Sequence, residues 1–155
     1  MKGKWFHLII ALALTLGSSS CAPVKQTVSD QKLQRAALAA KAFPAQQRFL
    51  YFDVPASDNG VSNLMMRAVI GEAAWMKQLT DTMARGASTP TYLVVGSRDN
   101  GVAYSAMKKA LDSLKGKQLA QLHLVLIGDS RQAEQLRPAV EPLGAEYRVL
   151  SSLSQ

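Results

Sequence analysis

Tyr92-Leu93-Val94-Val95-Gly96-Ser97-Arg98-Asp99-Asn100-Gly101-Val102 is the stretch on which the fold turns. An apolar run stops at small and polar residues, and an Asp-Asn-Gly triplet then opens a segment whose apolar residues recur at helical spacing. A short apolar run bounded by turn residues reads as a strand, and Asp or Asn just ahead of a periodic segment reads as a helix cap. The same order occurs upstream, where Phe49-Leu50-Tyr51-Phe52 precedes Asp58-Asn59-Gly60-Val61. In both places the triplet begins seven residues after a tyrosine, Tyr51 or Tyr92. A third round, Leu124-Val125-Leu126-Ile127-Gly128 followed by Asp129-Ser130, is looser, and Tyr147-Arg148-Val149-Leu150 closes the chain. Apolar runs alternating with helices predict an α/β domain of repeated strand–helix units, β-α-β-α-β-α-β, over residues 47–155.

The helices follow from the 3.6-residue period. From Gly60 onward, Val61, Leu64, Met65, Ala68, Val69, Met76, Leu79 and Met83 fall on one stripe, predicting a long helix that buries it. Trp75 falls near the edge of this stripe. After the second triplet, Val102, Ala106, Met107, Ala110, Leu111 and Leu114 form the buried stripe, Lys108, Asp112 and Lys115 face water, and Gly116 stops the helix. Pro138 interrupts the third helix and Gly144 ends it. Ahead of the repeat, Asp30 reads as the cap of an alanine-rich helix, Gln31 to Phe43, with Leu33, Ala36, Ala37, Ala40 and Phe43 on its face and Pro44 ending it. So thin a face suits lying on another surface or on the domain's flank.

Residues 1–20 have the three parts of a secretory signal: Lys2 and Lys4, the apolar run Leu8 to Leu16, and the small residues Gly17 to Ser20. The run is short of the ~20 residues that span a bilayer. The chain carries 18 basic and 11 acidic side chains, net +7, and without residues 1–20 the count is 16 against 11. That excess is scattered, with no dense basic tract, which argues against nucleic-acid binding and fits mild attraction to anionic surfaces. One cysteine rules out an internal disulfide, and His123 is the single histidine beyond residue 20, too few for a two-histidine metal centre.

Four carboxylates, Asp53, Asp58, Asp99 and Asp129, stand at or just after the strand runs. In a parallel sheet they would gather along one edge, where α/β domains commonly bind ligands, with Asn59, Arg98, Asn100 and Ser130 adding hydrogen-bonding groups. The same residue types are what helix caps and turns require. No dinucleotide fingerprint, phosphate-binding loop, nucleophile elbow or nucleophile–base pair is visible. The expectation is a non-catalytic domain that needs no cofactor.

Small residues followed by Cys, Ser19-Ser20-Cys21, resemble the lipobox of bacterial lipoprotein precursors, although Ser18 stands where that family carries an aliphatic residue. The resemblance implies cleavage before Cys21, lipid on its sulfur and amino group, and, with Ala22 rather than Asp next, transport to the periplasmic face of the outer membrane. Residues 21–46 are then lipidated cysteine, polar tether and first helix. From Phe49 to Leu150 the order of elements also resembles the OmpA-like peptidoglycan-binding family, with Asp99 and Lys109 in the places of its Asp and Arg; Arg98 departs from that family's Thr, and Lys109 loses the bidentate fork. Two functions follow as expectations. The first is a scaffold lipoprotein that docks onto other envelope proteins of a secretion, conjugation or pilus machine, through the alanine-rich segment and the exposed edge. The alternative is a degenerate wall-binding module using Asp99 and Lys109, with Asp58 and Asp129 nearby.

Overall fold

The computed structural model describes residues 28–151. Along the chain come α1 (Val28–Ala39), β1 (Leu50–Val54), α2 (Gly60–Val69), α3 (Ala74–Ala84), β2 (Thr91–Ser97), α4 (Asn100–Ser113), β3 (Leu122–Gly128), α5 (Ser130–Glu134), α6 (Arg137–Val140) and β4 (Glu146–Ser151). Single 3-10 turns follow α2, α3 and α6. The four strands form one sheet in the order β1-β2-β3-β4, and every neighbouring pair is parallel. The α/β architecture of alternating strands and helices is therefore present as the sequence predicts.

Strand order has a consequence for the layers. Every crossover steps to the next strand in the same direction, and right-handed crossovers then put all connecting helices on one face. Helices α2 to α6 cover that face, packing Met76, Leu79, Met83, Val102, Met107, Leu111, Leu136 and Val140 against Leu93, Val95, Leu122, Leu124, Leu126 and Tyr147. The opposite face is left to α1 and the turn after it, where Ala39, Ala42 and Phe43 lie on Val94, Val125 and Ile127. Strands β2 and β3 are thus covered on both sides, with Leu93, Val94 and Val95 fully buried. That is why they read as unbroken apolar runs rather than alternating ones.

The connectors also follow their predicted chemistry. Asn59 accepts a hydrogen bond from the Val61 N–H (2.9 Å), Asp99 from Val102 (2.9 Å) and Asp129 from Gln132 (2.8 Å). Gly116 and Gly144 end their helical segments at φ +82° and +71°, left-handed backbone that favours glycine. Pro138 splits the third helical stretch into α5 and α6 and sits in the first turn of α6, where its missing N–H has no partner to lose.

Two helices differ from the sequence reading, for the same reason. Helix α1 spans Val28–Ala39 rather than Gln31 to Phe43, so Asp30 lies in its first turn instead of capping it. Its predicted face points outward except at Phe43: Leu33 is 65% exposed and Ala36, Ala37 and Ala40 are exposed too, while Phe43 is buried together with Arg35, Ala39 and Ala42. The long helix predicted from Gly60 to Met83 breaks after Val69 into a 3-10 turn and restarts as α3. Met76, Leu79 and Met83 are core, but Val61, Leu64, Met65 and Val69 are 62, 64, 68 and 56% exposed. The inward face of α2 is instead Asn63, Met66, Arg67 and, in the following turn, Ile70. In each helix a polar side chain with a distant partner sets the rotation about the helix axis. Gly71 in the break lets the aliphatic stem of Lys109 on α4 lie where a Cβ would otherwise stand.

Candidate functional site

The carboxyl ends of the strands carry the predicted acidic residues, but the structure divides them. Asp53 faces α1: its Oδ1 accepts from Arg35 Nε (3.3 Å) and from the Tyr51 hydroxyl (3.0 Å). Burial and the adjacent Asp53 carboxylate push the Tyr51 phenol up to about 12. Arg35 is only 11% exposed, so this pair clamps α1 to the sheet from the side away from the other helices.

Asp58 and Asp99 come together on the other side. Asp58 pairs with Arg98. Asp99 caps α4 through Val102 and also accepts from Arg67 (2.6 Å to Oδ1) and from Asn63 (3.0 Å to Oδ2). Asn63 is buried and satisfied: it accepts from the Ser57 N–H (2.7 Å) and donates to the Ser57 carbonyl (3.0 Å) as well as to Asp99. Burial works to raise the Asp99 pKa, but the Val102 N–H, the Arg67 guanidinium and Asn63 outweigh it and hold the carboxyl below its ordinary range. Gly101 belongs to the same device. The Arg67 guanidinium occupies the space a Cβ at 101 would take, whereas nothing stands near the equivalent position of Gly60. The two Asp-Asn-Gly triplets look alike and do different jobs.

Asp129 caps α5 and joins neither cluster. Lys109 is exposed and lies ten residues along α4 from Asp99, about 15 Å at 1.5 Å per residue. Asp99 and Lys109 are therefore not brought together as a gripping pair. His123 sits in the second position of β3, stacked on Tyr92 (4.3 Å between ring centroids) with its Nδ1 2.6 Å from Glu146, at the end of the sheet away from the acidic edge. Among the described residues no group of three His, Cys, Asp or Glu could hold a metal ion. Asn63, Arg67 and Arg35 were not singled out by sequence reading. The signal available was a polar i, i+4 pair, Asn63 and Arg67, inside an apolar helix.

At this edge Asp53 and Asp99 hold side chains of α1 and α2, while the Asp58 side chain, paired with Arg98, is 70% exposed. A crevice at the strand ends arises where the strand order reverses, and an order of 1-2-3-4 has no reversal. A shallow groove lies at the opposite end, bordered by Arg48, Phe49, Leu50, Arg85, Pro90 and Tyr92. What the acidic edge does leave outward is the uncharged face of α2. Compared with known proteins, the chain matches no family profile, no curated protein and no solved structure. Cys21 and the signal-like segment 1–20 lie outside the described residues.

Proposed function

We propose that this chain is a lipid-anchored structural component of an envelope assembly. Residues 1–20 are a secretory signal, Cys21 carries lipid, and the α/β domain stands on a short tether at the periplasmic face of the outer membrane. The observation that carries a docking role is the outward stripe of α2: four large apolar side chains, Val61, Leu64, Met65 and Val69, each more than half exposed. Contiguous apolar surface of this kind on a folded domain marks an interaction site. The strand-end carboxylates support a non-catalytic reading, because each is already engaged: Asp99 in a cap and two further bonds, Asp53 by Arg35 and Tyr51, Asp58 by Arg98, and Asp129 in a cap.

The direction of α1 supports the tether. Arg35 meets Asp53 near the end of β1, while Phe43 contacts Tyr92 near the start of β2, so α1 runs antiparallel to the strands. Its first residues point toward the strands' carboxyl ends, the end at which α2 begins. A seven-residue connection from Cys21 to Val28 reaches at most about 24 Å, which holds the start of α1 within that distance of the anchor. The host is an envelope machine of the secretion, conjugation or pilus type. Cross-linking in intact cells, detergent extraction and recovery of the tagged chain test this reading. Recovery in cross-linked complexes, with a mature N-terminus whose mass shows lipid on Cys21, is the expected result. A monomer that never cross-links, or an unmodified Cys21, would overturn the corresponding half.

A further inference from the structure

We infer that the groove at the amino end of the sheet binds an extended, acidic segment of a partner protein. The inference goes beyond the docking stripe on α2 and uses none of it. Arg48 precedes β1, Arg85 follows α3, and both border this groove of about 370 Å³. The ion pairs of the domain single them out. Eight arginines lie among the described residues, and five of them, Arg35, Arg67, Arg98, Arg137 and Arg148, meet a carboxylate. Arg48, Arg85 and Arg131 meet none among the described residues, and two of these three share the groove. No acidic residue lines it, so its charge is uncompensated. Much of the remaining lining is apolar: Phe49, Pro90, Tyr92 and Leu50, the last 49% exposed. Phe43, outside the lining, packs on Phe49 and Tyr92 (6.0 and 5.2 Å between ring centroids), and His123 stacks on Tyr92. The aromatic wall is therefore set before a ligand arrives, which lowers the ordering cost of binding.

Charge and shape choose the occupant. Free guanidiniums call for carboxylate or phosphate, either of which accepts two parallel N–H bonds. Nucleic-acid binding rests on about 6–10 phosphate contacts, and an anionic membrane on about four or more clustered cations. The groove offers two arginines. A small acid needs a cleft that covers about 70–90% of its surface, and this groove is too shallow to do so. An extended peptide needs no such enclosure. It can run along the groove with carboxylates on Arg48 and Arg85 and an apolar side chain on the wall between its charges. Leu50 also begins β1, a strand at the edge of the sheet, so a chain leaving the groove there finds an outer edge without a strand partner.

The test uses the purified full-length chain in detergent. Selection from a displayed library of short random peptides should enrich sequences in which Asp or Glu flanks an apolar residue. Affinity for a selected peptide, read by fluorescence anisotropy, should fall about fivefold in Arg48→Gln or Arg85→Gln and about 20-fold in the double variant, and should fall as salt rises. Arg131→Gln removes the same charge from α5, at the other end of the strands, and should bind as the parent does. None of the three guanidiniums holds a carboxylate in the domain, so circular dichroism of the variants should match the parent. No enrichment, enrichment without carboxylates, or equal weakening by Arg131→Gln would each overturn the inference. Binding to phosphatidylglycerol vesicles that the double variant loses, with no peptide selected, would overturn it in favour of a lipid surface. Lipid on Cys21 enters none of these readings, so failure here leaves the anchor and the α2 stripe standing.

Discussion

Replacing Asp99 tests whether the strand-end edge is a structural strut. Asp99→Ala removes the cap of α4, worth about 1 kcal/mol. It also strands Asn63, 4% exposed, and Arg67, whose Nε is already buried without a hydrogen-bond partner. Leaving such donors unsatisfied costs about 2 kcal/mol more, discounted because the Arg67 side chain is 35% exposed. The sum is about 3 kcal/mol, a large share of a domain's 5–15 kcal/mol and about 12 °C in melting temperature for a domain of this size. Asp99→Asn keeps the cap acceptor and loses only the charge, so it should cost about 1 kcal/mol, or about 4 °C. The pH dependence has a definite sign. The folded-state pKa of Asp99 is lowered, so its stabilisation is present above the unfolded value of about 3.9 and is lost as pH falls through the depressed folded value. Thermal unfolding followed by circular dichroism at pH 7 should separate wild type from Asp99→Asn, and the gap should narrow as pH falls below the unfolded value and through the depressed folded one. Hydrogen exchange should also show α2 losing protection in Asp99→Ala, because this carboxylate ties α2 to α4. Equal melting of Asp99→Asn and Asp99→Ala, or a gap that persists at low pH, would refute the account.

Other outcomes follow from the same contacts. Arg35→Ala should cost about 2 kcal/mol in urea unfolding by leaving Asp53 facing α1 without its cation, whereas Arg35→Met paired with Asp53→Leu should recover most of that loss, because an apolar pair of similar volume replaces a buried ion pair well. Gly86→Ala should destabilise by about 1–3 kcal/mol, since a Cβ there would stand 2.9 Å from the Leu122 Cα, a backbone atom of β3 that cannot step aside. In a spectrophotometric titration the Tyr51 phenolate should form only near pH 12, and Asp53→Asn should bring it down. Because that pKa is raised on folding, the stability it contributes is present below about pH 10 and lost between there and pH 12. Sedimentation with purified sacculi should show no pelleting that Lys109→Ala abolishes, as Lys109 and Asp99 stand nearly three turns of helix apart.

The strands were legible because β2 and β3 are buried on both faces, and such strands can only be apolar runs. Helix α4 was legible because its whole inward face is hydrocarbon: Val102, Ala106, Met107, Ala110 and Leu111 are all buried. The caps at Asn59, Asp99 and Asp129 were legible because capping is a local bond, made within three residues. Local chemistry and simple periodicity thus determined the class of fold, the positions of the connectors and the core of two layers.

The rotations of α1 and α2 were decided elsewhere. Periodicity counts apolar residues and assigns the richer stripe to the core, which for α2 is Val61, Leu64, Met65 and Val69. The folded chain buries the other side, because Asn63 and Arg67 find Asp99 more than 30 residues away, and Arg35 finds Asp53 across the sheet. A charged side chain turns inward only when its partner is already placed there, and that placement depends on strand order and parallel register. Strand order also leaves no reversal at which a crevice would open, and at the strand ends Asp53 and Asp99 hold side chains of α1 and α2. The amino-acid sequence by itself determined which segments form strands, helices and turns, since those preferences are short-ranged. Only the tertiary structure decided which face of α2 meets water, because that outcome belongs to a hydrogen-bonded network assembled from three separate elements.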